Sequence, residues 1–323
     1  MRDGEVTTSA PAPFRHVAVI GLGLLGGSVA RAVKTYAPDA TVSGFDADAA
    51  VRRRAREIAL YDTIAESAGE AVREADLVVL CVPVGAMGAA ARALATDLPQ
   101  GALVTDVGSS KASVARALAD ALPGHAVIPA HPVAGTEQSG PDAGFATLFR
   151  NRWCILTPPA DADPALLARL AAFWETLGAR VDIMDAEHHD LVLAVTSHLP
   201  HLIAYTIVGT ASDLEAVTQS EVIKYSAGGF RDFTRIAASD PTMWRDVFLN
   251  NRDAVLDMLQ RFTEDLMGLQ KAIRVGDGAA LFDHFTHTRA IRRSIIEQGQ
   301  DDARPDFGRV HDEGTDRRSG QQE

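Results

Sequence analysis

The stretch that most constrains this chain is residues 17–28, Val-Ala-Val-Ile-Gly-Leu-Gly-Leu-Leu-Gly-Gly-Ser. Val17 to Ile20 predict a buried strand. Gly21, Gly23 and Gly26 follow in G-x-G-x-x-G spacing, and a helix is predicted over 28–36. Each glycine has a physical task in a dinucleotide site. Gly21 permits the tight turn out of the strand, Gly23 lets a pyrophosphate approach the backbone, and Gly26 lets the helix pack close on the sheet. The helix N-terminus then offers free N–H groups to the phosphates. Leu24 and Leu25, between the last two of these glycines, belong to the same expected contact. A glycine triplet by itself also describes an ordinary turn. The preceding strand, the following helix and an acid downstream favour the dinucleotide reading.

That acid is Asp46, at the end of a strand predicted over 41–45. In a Rossmann unit such an acid accepts hydrogen bonds from the adenosine ribose and repels a 2′-phosphate, so NAD rather than NADP is the expected cofactor. A second reading has Asp46 or Asp48 capping the helix that runs through Arg56, and the two readings are compatible. Arg52, Arg53 and Arg54 leave tolerance of NADP open. Further strands are predicted over 75–83, 102–105 and 126–129, with helices over 85–97 and 111–122 between them. This alternation predicts an α/β fold, a Rossmann-type doubly wound parallel sheet. Val82 and Pro83, at a carboxyl strand end, would lie beside the cofactor crevice. Ser109 and His131 fall just past strand ends on the same face as the glycine turn, which marks that edge as the expected active site. Segments 153–158 and 180–184, joined by a helix over 164–177, are expected to extend the same sheet.

From residue 186 the pattern is helical to 297. The apolar run 191–209 is interrupted by Pro200, which predicts a kink near Thr196. His198 and His201 flank that proline on one face, either as satisfied core residues or as functional ones. They have no completing ligands at metal-site spacing, so no metal is expected. Gly228-Gly229-Phe230 predicts a break. Asp240-Pro241 predicts a helix start, with the helix running to about 275, and Gly276 and Gly278 precede a last helix over 279–297. Long helices with short links after a Rossmann unit predict a helical domain that forms a homodimer.

A chain of 323 residues fits roughly two domains. The expected division is a disordered lead-in (1–13), a dinucleotide-binding domain (14–185), a helical dimerisation and substrate domain (186–299) and a disordered polar tail (300–323). The net charge of −12, from 43 acidic and 31 basic residues, argues against non-specific nucleic-acid binding. No run of the sequence approaches the ~18 apolar residues of a membrane span. Cys81 and Cys154 lack C-x-x-C partners, so a reducing cytoplasm is the expected compartment.

Over residues 17–297 the chain resembles the prephenate/arogenate dehydrogenases of tyrosine biosynthesis. The resemblance rests on ordered blocks: the glycine turn, Asp106-Val-Gly-Ser-Ser-Lys111, His131-Pro-Val-Ala-Gly-Thr-Glu137, Ser197-His-Leu-Pro-His201, Gly229-Phe-Arg-Asp-Phe-Thr-Arg-Ile236 and Ser239-Asp-Pro-Thr-Met-Trp-Arg245. It implies NAD-dependent oxidative decarboxylation of prephenate to 4-hydroxyphenylpyruvate, with arogenate, or both substrates, as the alternative. In that family His131 corresponds to the histidine that takes the ring-hydroxyl proton. Ser109, with Ser110 as local alternative, corresponds to the serine that bonds the same hydroxyl. Arg235 corresponds to the arginine that holds a substrate carboxylate, and His201 and His198 to histidines of the substrate pocket. Thr136 and Glu137 stand where the family contacts the side chain that distinguishes prephenate from arogenate. Trp244 resembles a tryptophan that reaches toward the neighbouring subunit. Plainer readings stand beside these: Ser109 as a helix cap, His131 as a turn residue, Arg235 as a surface ion-pair partner and Trp244 as an interface anchor. The polar tail is too short for the regulatory domain some members carry, so any tyrosine feedback is expected to act elsewhere. A 3-hydroxyacid-type dehydrogenase is disfavoured because no lysine lies between Lys111 and Lys224. An NAD-sensing regulator would have little use for His131, Ser109 and Arg235.

Overall fold

The computed structural model describes residues 12–136, 138–218 and 228–297. Residues 1–11 of the expected lead-in, the expected tail over 300–323, and Glu137 lie outside the described residues. The chain divides into two compact units, 1–259 and 260–323.

The first unit opens with β1 (His16–Ile20), α1 (Leu24–Tyr36), β2 (Thr41–Phe45), α2 (Ala49–Ile58), β3 (Thr63–Ile64), α3 (Ala68–Val72), β4 (Leu77–Leu80), α4 (Met87–Leu94), β5 (Leu103–Asp106), α5 (Ala112–Ala121) and β6 (Ala126–Val127). The six strands pair in the order β3-β2-β1-β4-β5-β6, all parallel. Strand periodicity explains why both faces are covered. Val17, Val19, Leu77 and Val79 pack into one core with Val29, Val33, Phe173 and Trp174. Their neighbours Ala18, Ile20, Val78 and Leu80 pack into the other with Met87, Leu94 and Leu118. The order reverses between β1 and β4, which opens the crevice where parallel sheets bind ligands. The sequence pattern misses β3 and α3, which have two and five residues, too few for a period to register. The helix expected over 85–97 is a 3₁₀ turn, Val84–Ala86, followed by α4.

The expected extension of the sheet is corrected. β7 (Ala130–Pro132), β8 (Trp153–Leu156) and β9 (Arg180–Ile183) form a separate three-stranded sheet, with β7 antiparallel to β8 and β8 parallel to β9. Pro129 explains the change of sheet. Ile128 N–H still donates to Val104 O (3.0 Å), but Pro129 has no N–H with which to continue the ladder. Its carbonyl instead accepts Thr157 N–H at 2.9 Å. His131 therefore sits within a strand, not in a loop past a strand end. A buried ion pair joins the two sheets. Lys111 Nζ bonds Asp106 Oδ2 and donates to Ala130 O (2.7 Å), while Asp106 Oδ1 accepts Ala130 N–H (3.2 Å).

After α6 (Pro164–Thr176) and β9, α7 (Ala186–Leu193) passes through a π-helical turn, Ala194–His198, into α8 (Leu199–Thr218). That turn lies just ahead of Pro200, where the missing N–H and the ring clash disturb the regular ladder. The run Ala186–Asp213, whose most apolar 18-residue window has a mean hydropathy of 1.6, is long and apolar enough to cross a membrane by length and composition, a length the sequence pattern understates. Buried helices of folded proteins meet the same measure, and His189, Asp190 and His198 within the run are buried. α9 (Gly228–Thr234) starts at the glycines expected to form a break, and a 3₁₀ turn, Arg235–Ala238, follows. α10 (Pro241–Asn250) begins as expected, with the Asp240 carboxylate accepting Met243 N–H at 2.9 Å. The expected continuation to 275 is interrupted at Asn251, where α10 ends and α11 (Arg252–Val275) starts. The second unit is described by the rest of α11 and by α12 (Gly278–Glu297), divided at Gly276, whose φ is +72°.

Removing the cation from a buried pair leaves an uncompensated charge, typically at a cost of about 3–5 kcal/mol. Lys111→Met is therefore expected to lower unfolding stability by about that amount in urea titration, and a loss too small to measure would contradict the clamp between the sheets.

Candidate active site

Strand register builds the site's floor. Phe45 pairs with Ile20, Ile20 with Leu80, and Leu80 with Asp106, so four strands end in one row. The chain leaves that row as Asp46, Gly21, Cys81-Val82-Pro83 and Val107-Gly108-Ser109. Gly21 has φ +99°, and a Cβ there would lie 2.5 Å from Cys81 O. A Cβ at Gly26 would lie 1.9 Å from Gly21 O. These two glycines are required by the fold itself. Gly23 differs: a Cβ there would meet nothing within 4 Å. Gly23 is also the N-cap of α1 and offers no side-chain cap. The first N–H groups of α1, at Leu24 and Leu25, thus border open space, which fits a pyrophosphate.

The Asp46 carboxylate accepts Leu22 N–H (2.8 Å) through Oδ2 and Asp48 N–H (2.9 Å) through Oδ1. It braces the glycine turn, and each oxygen keeps a lone pair for a ribose hydroxyl. The helix cap is Asp48, which accepts Ala50 N–H at 2.7 Å. Arg52 donates to Asp46 O at 2.8 Å and pairs with Glu66. Arg54 is held by Asp142 and Glu57. Val82 is half-buried and Pro83 exposed at the start of the turn beside this row. These features fit NAD.

A cluster of imidazoles stands next to the row. His131 Nδ1 lies 2.8 Å from His189 Nε2, and His189 Nδ1 lies 2.9 Å from Asp190 Oδ1. Asp190 also accepts Lys111 N–H (2.7 Å) and Ala112 N–H (3.0 Å) at the start of α5. Asn251 donates to Asp190 O (2.8 Å) and to His198 Nδ1 (3.0 Å). His201 donates through Nδ1 to Ser197 O (2.8 Å) and stacks on Trp244 at 3.7 Å between ring centres. Burial is the main cause holding these rings neutral. It pushes His131 well below the ordinary imidazole value, helped by the nearby His189, Lys111 and His198. It pushes His198 down to about 4. His189 and His201 are lowered too, His201 partly by the Arg235 charge, which places that guanidinium near the cluster. Tyr205 OH donates to Ser239 O at 2.7 Å and so ties the Arg235 turn to α8.

Of the other expected residues, Ser109 is half-buried, and Ser110 is buried with its Oγ unpartnered among the described residues. His198 Nε2 and Trp244 Nε1 are likewise buried without a partner among the described residues. Trp244, 6% exposed, packs within its own chain. Thr136 is exposed, and its hydroxyl accepts Gln138 N–H at 3.2 Å. Sequence reasoning misses His189, Asp190 and Asn251. The only signal for the first two is an adjacent histidine and acid in a predicted helix. Asn251 gives none, because its importance comes from breaking a helix that the pattern reads as continuous.

The family model described as "Prephenate dehydrogenase, nucleotide-binding domain" matches residues 29–183, and that described as "Prephenate dehydrogenase, dimerization domain" matches 185–287. A Zymomonas mobilis protein named cyclohexadienyl dehydrogenase is 49% identical over 87% of this chain and 96% of its own length. A Bacillus subtilis prephenate dehydrogenase is 33% identical over 86% of this chain and 76% of its own. The crystal structure of Aquifex aeolicus prephenate dehydrogenase with hydroxyphenyl propionate and NAD+ superposes with a TM-score of 0.81 at 32% identity, covering 90% of this chain and 99% of that one.

Two outcomes test the site's physical reading. Gly23→Ala should keep the thermal midpoint yet weaken NAD binding in calorimetry, whereas Gly26→Ala should lower the midpoint itself. The unfolded chain protonates these histidines below about pH 6.5 while the folded chain resists. The stability due to their neutral burial is therefore complete above that pH and is lost on acidification, over about 6.5 to 4 for His198. The thermal midpoint should fall across that window, and His198→Leu should make the slope shallower.

Proposed function

This chain belongs to the prephenate dehydrogenase family, and from that premise we propose that it catalyses the NAD-dependent oxidative decarboxylation of prephenate in tyrosine biosynthesis. The observation that carries the reading is a buried, neutral His131 beside the carboxyl edge that presents the open Gly23 cradle. The 49% identity to a protein named cyclohexadienyl dehydrogenase favours a second reading, in which arogenate is accepted as well.

The site's residues supply what the reaction needs. Bound NAD+ would accept the hydride that leaves the ring carbinol carbon. His131 Nε2 takes the ring-hydroxyl proton as that carbon becomes a carbonyl. The bond to the ring carboxylate then breaks, CO2 departs, and the electron pair aromatises the ring. The same imidazole returns the proton to the phenolic oxygen, so no net proton is consumed. A base that is neutral at physiological pH suits this task. Ser109, with Ser110 beside it, bonds the hydroxyl. Arg235 holds a substrate carboxylate with its two-pronged fork, beside His201, His198 and Trp244. Thr136 lies in the segment assigned to the substrate side chain, and Gly21 to Gly26, Asp46, Val82 and Pro83 hold the cofactor.

We propose the same division of labour as the sequence pattern, with 14–185 holding the dinucleotide and 186–299 contributing substrate contacts and a homodimer interface. Exposed Leu266, Met267, Phe282 and Phe285 support the dimer. The free thiols of Cys81 and Cys154 suit a cytoplasmic setting.

NADH absorbance should rise with prephenate, and no signal with either prephenate or arogenate would remove this function. Parallel kinetics with both substrates decide between the two readings. His131→Asn should lower kcat by about 10²–10⁴-fold with NAD affinity retained. Arg235→Gln should mainly raise KM for prephenate, and Asp46→Ser should move the NAD/NADP ratio toward NADP.

A further inference from the structure

The proton-accepting atom of His131 is determined by groups two steps away from it. Asp190 receives two backbone N–H groups, from Lys111 at 2.7 Å and Ala112 at 3.0 Å, and the Nδ1 side of His189 at 2.9 Å. Its oxygens act here only as acceptors, so His189 Nδ1 carries the hydrogen. His189 is fully buried, which disfavours a second proton on its ring and leaves Nε2 as a lone pair. That lone pair lies 2.8 Å from His131 Nδ1, which must then be the donor. The lone pair of neutral His131 consequently resides on Nε2.

We propose that His189 and Asp190 are positioning residues that fix the tautomer of His131, so that Nε2 is its proton acceptor. The proposal rests on the reading of His131 as the base of the reaction proposed above. A ring free to exchange tautomers would spend part of its time with a hydrogen on Nε2, where it cannot accept the hydroxyl proton. When His131 is protonated, its Nδ1–H still faces the His189 lone pair, and the Asp190 carboxylate lies beyond. In their charged forms His189, Lys111 and His198 would each disfavour the His131 cation, and burial keeps the His189 ring itself neutral. Asp106 pairs with Lys111 and moderates that ammonium. The relay from His131 to Asp190 therefore counteracts its surroundings at the one moment when a positive ring must form. Asn251, donating to the Asp190 carbonyl, holds α7 in the required place.

The test compares His189→Met, which removes both hydrogen-bonding atoms, with His189→Gln, whose amide can accept from His131 and donate to Asp190. His189→Met should lower kcat by about tenfold or more, with KM for prephenate changed much less, and His189→Gln should recover most of the loss. Imidazole ¹⁵N spectra of the full chain, with His131 assigned by its loss in His131→Asn, read the tautomer without substrate. Wild type should show Nδ1 protonated and Nε2 bare, and the folded His189→Met variant a mixture. A bare Nδ1 in wild type overturns the proposal even if either variant fails to fold. Unchanged kcat and an unchanged His131 signature in folded His189→Met overturn it as well. Full activity in His131→Asn would instead overturn the reading of His131 as base and leave the tautomer measurement standing on its own.

Discussion

The buried pair of Lys111 and Asp106 is the contact on which the rest of the site depends. Asp106 ends β5 in the row that carries the cofactor edge, and Lys111 starts the helix that follows. Together they occupy both the N–H and the carbonyl of Ala130, the residue before His131. A second sheet is thereby docked against the end of the first by saturated, directional bonds. Both side chains are fully buried, and such a pair offsets its desolvation only when its geometry and remaining hydrogen bonds are good. Here Gly108 N–H and the Ala130 backbone complete the set. What the pair contributes is placement: it holds a strand-borne imidazole at a fixed position relative to the glycine turn.

The helical half reaches the same place through two irregularities. Regular helix through residues 186–218 would meet Pro200 with an unsatisfied carbonyl. The π turn at Ala194–His198 takes up that defect in the segment that carries His198. The stop at Asn251 ends α10 and turns an amide into the link between the Asp190 backbone and His198. Functional sites often sit where local regularity is given up, because a regular element directs its side chains at fixed periods, and a site needs them elsewhere. Burial then does electrostatic work: it keeps the rings neutral, and neutral rings can pass hydrogen-bond direction from a carboxylate to a base.

Much of this was legible in the residues. Strand-length apolar runs and the glycine spacing sufficed for a parallel nucleotide-binding sheet, since alternation and turn chemistry are local properties. Asp240-Pro241 and Gly276 mark helix boundaries for the same reason. Asp46 was legible as an acid at a strand end. Its bracing of Leu22 was not, because that bond depends on the register between β1 and β2. The sheet to which 153–158 and 180–184 belong is not legible in the residues, because strand periodicity is identical in either sheet and only the partner exchange at Pro129 distinguishes them. Asn251 was invisible, since a helical period runs straight through it.

By itself, then, the sequence determined a doubly wound nucleotide-binding unit followed by helices, and the residue types that line its edge. These follow from short-range chemistry: side-chain period, glycine conformations, capping and the absence of an N–H at proline. Only the tertiary structure decided which histidines meet, that Asp190 reaches the start of α5, and that His189 stands between that acid and His131. The contacts of Asp190 with α5 and of His189 with His131 join residues far apart in the chain, and their directions depend on burial, which no local pattern encodes.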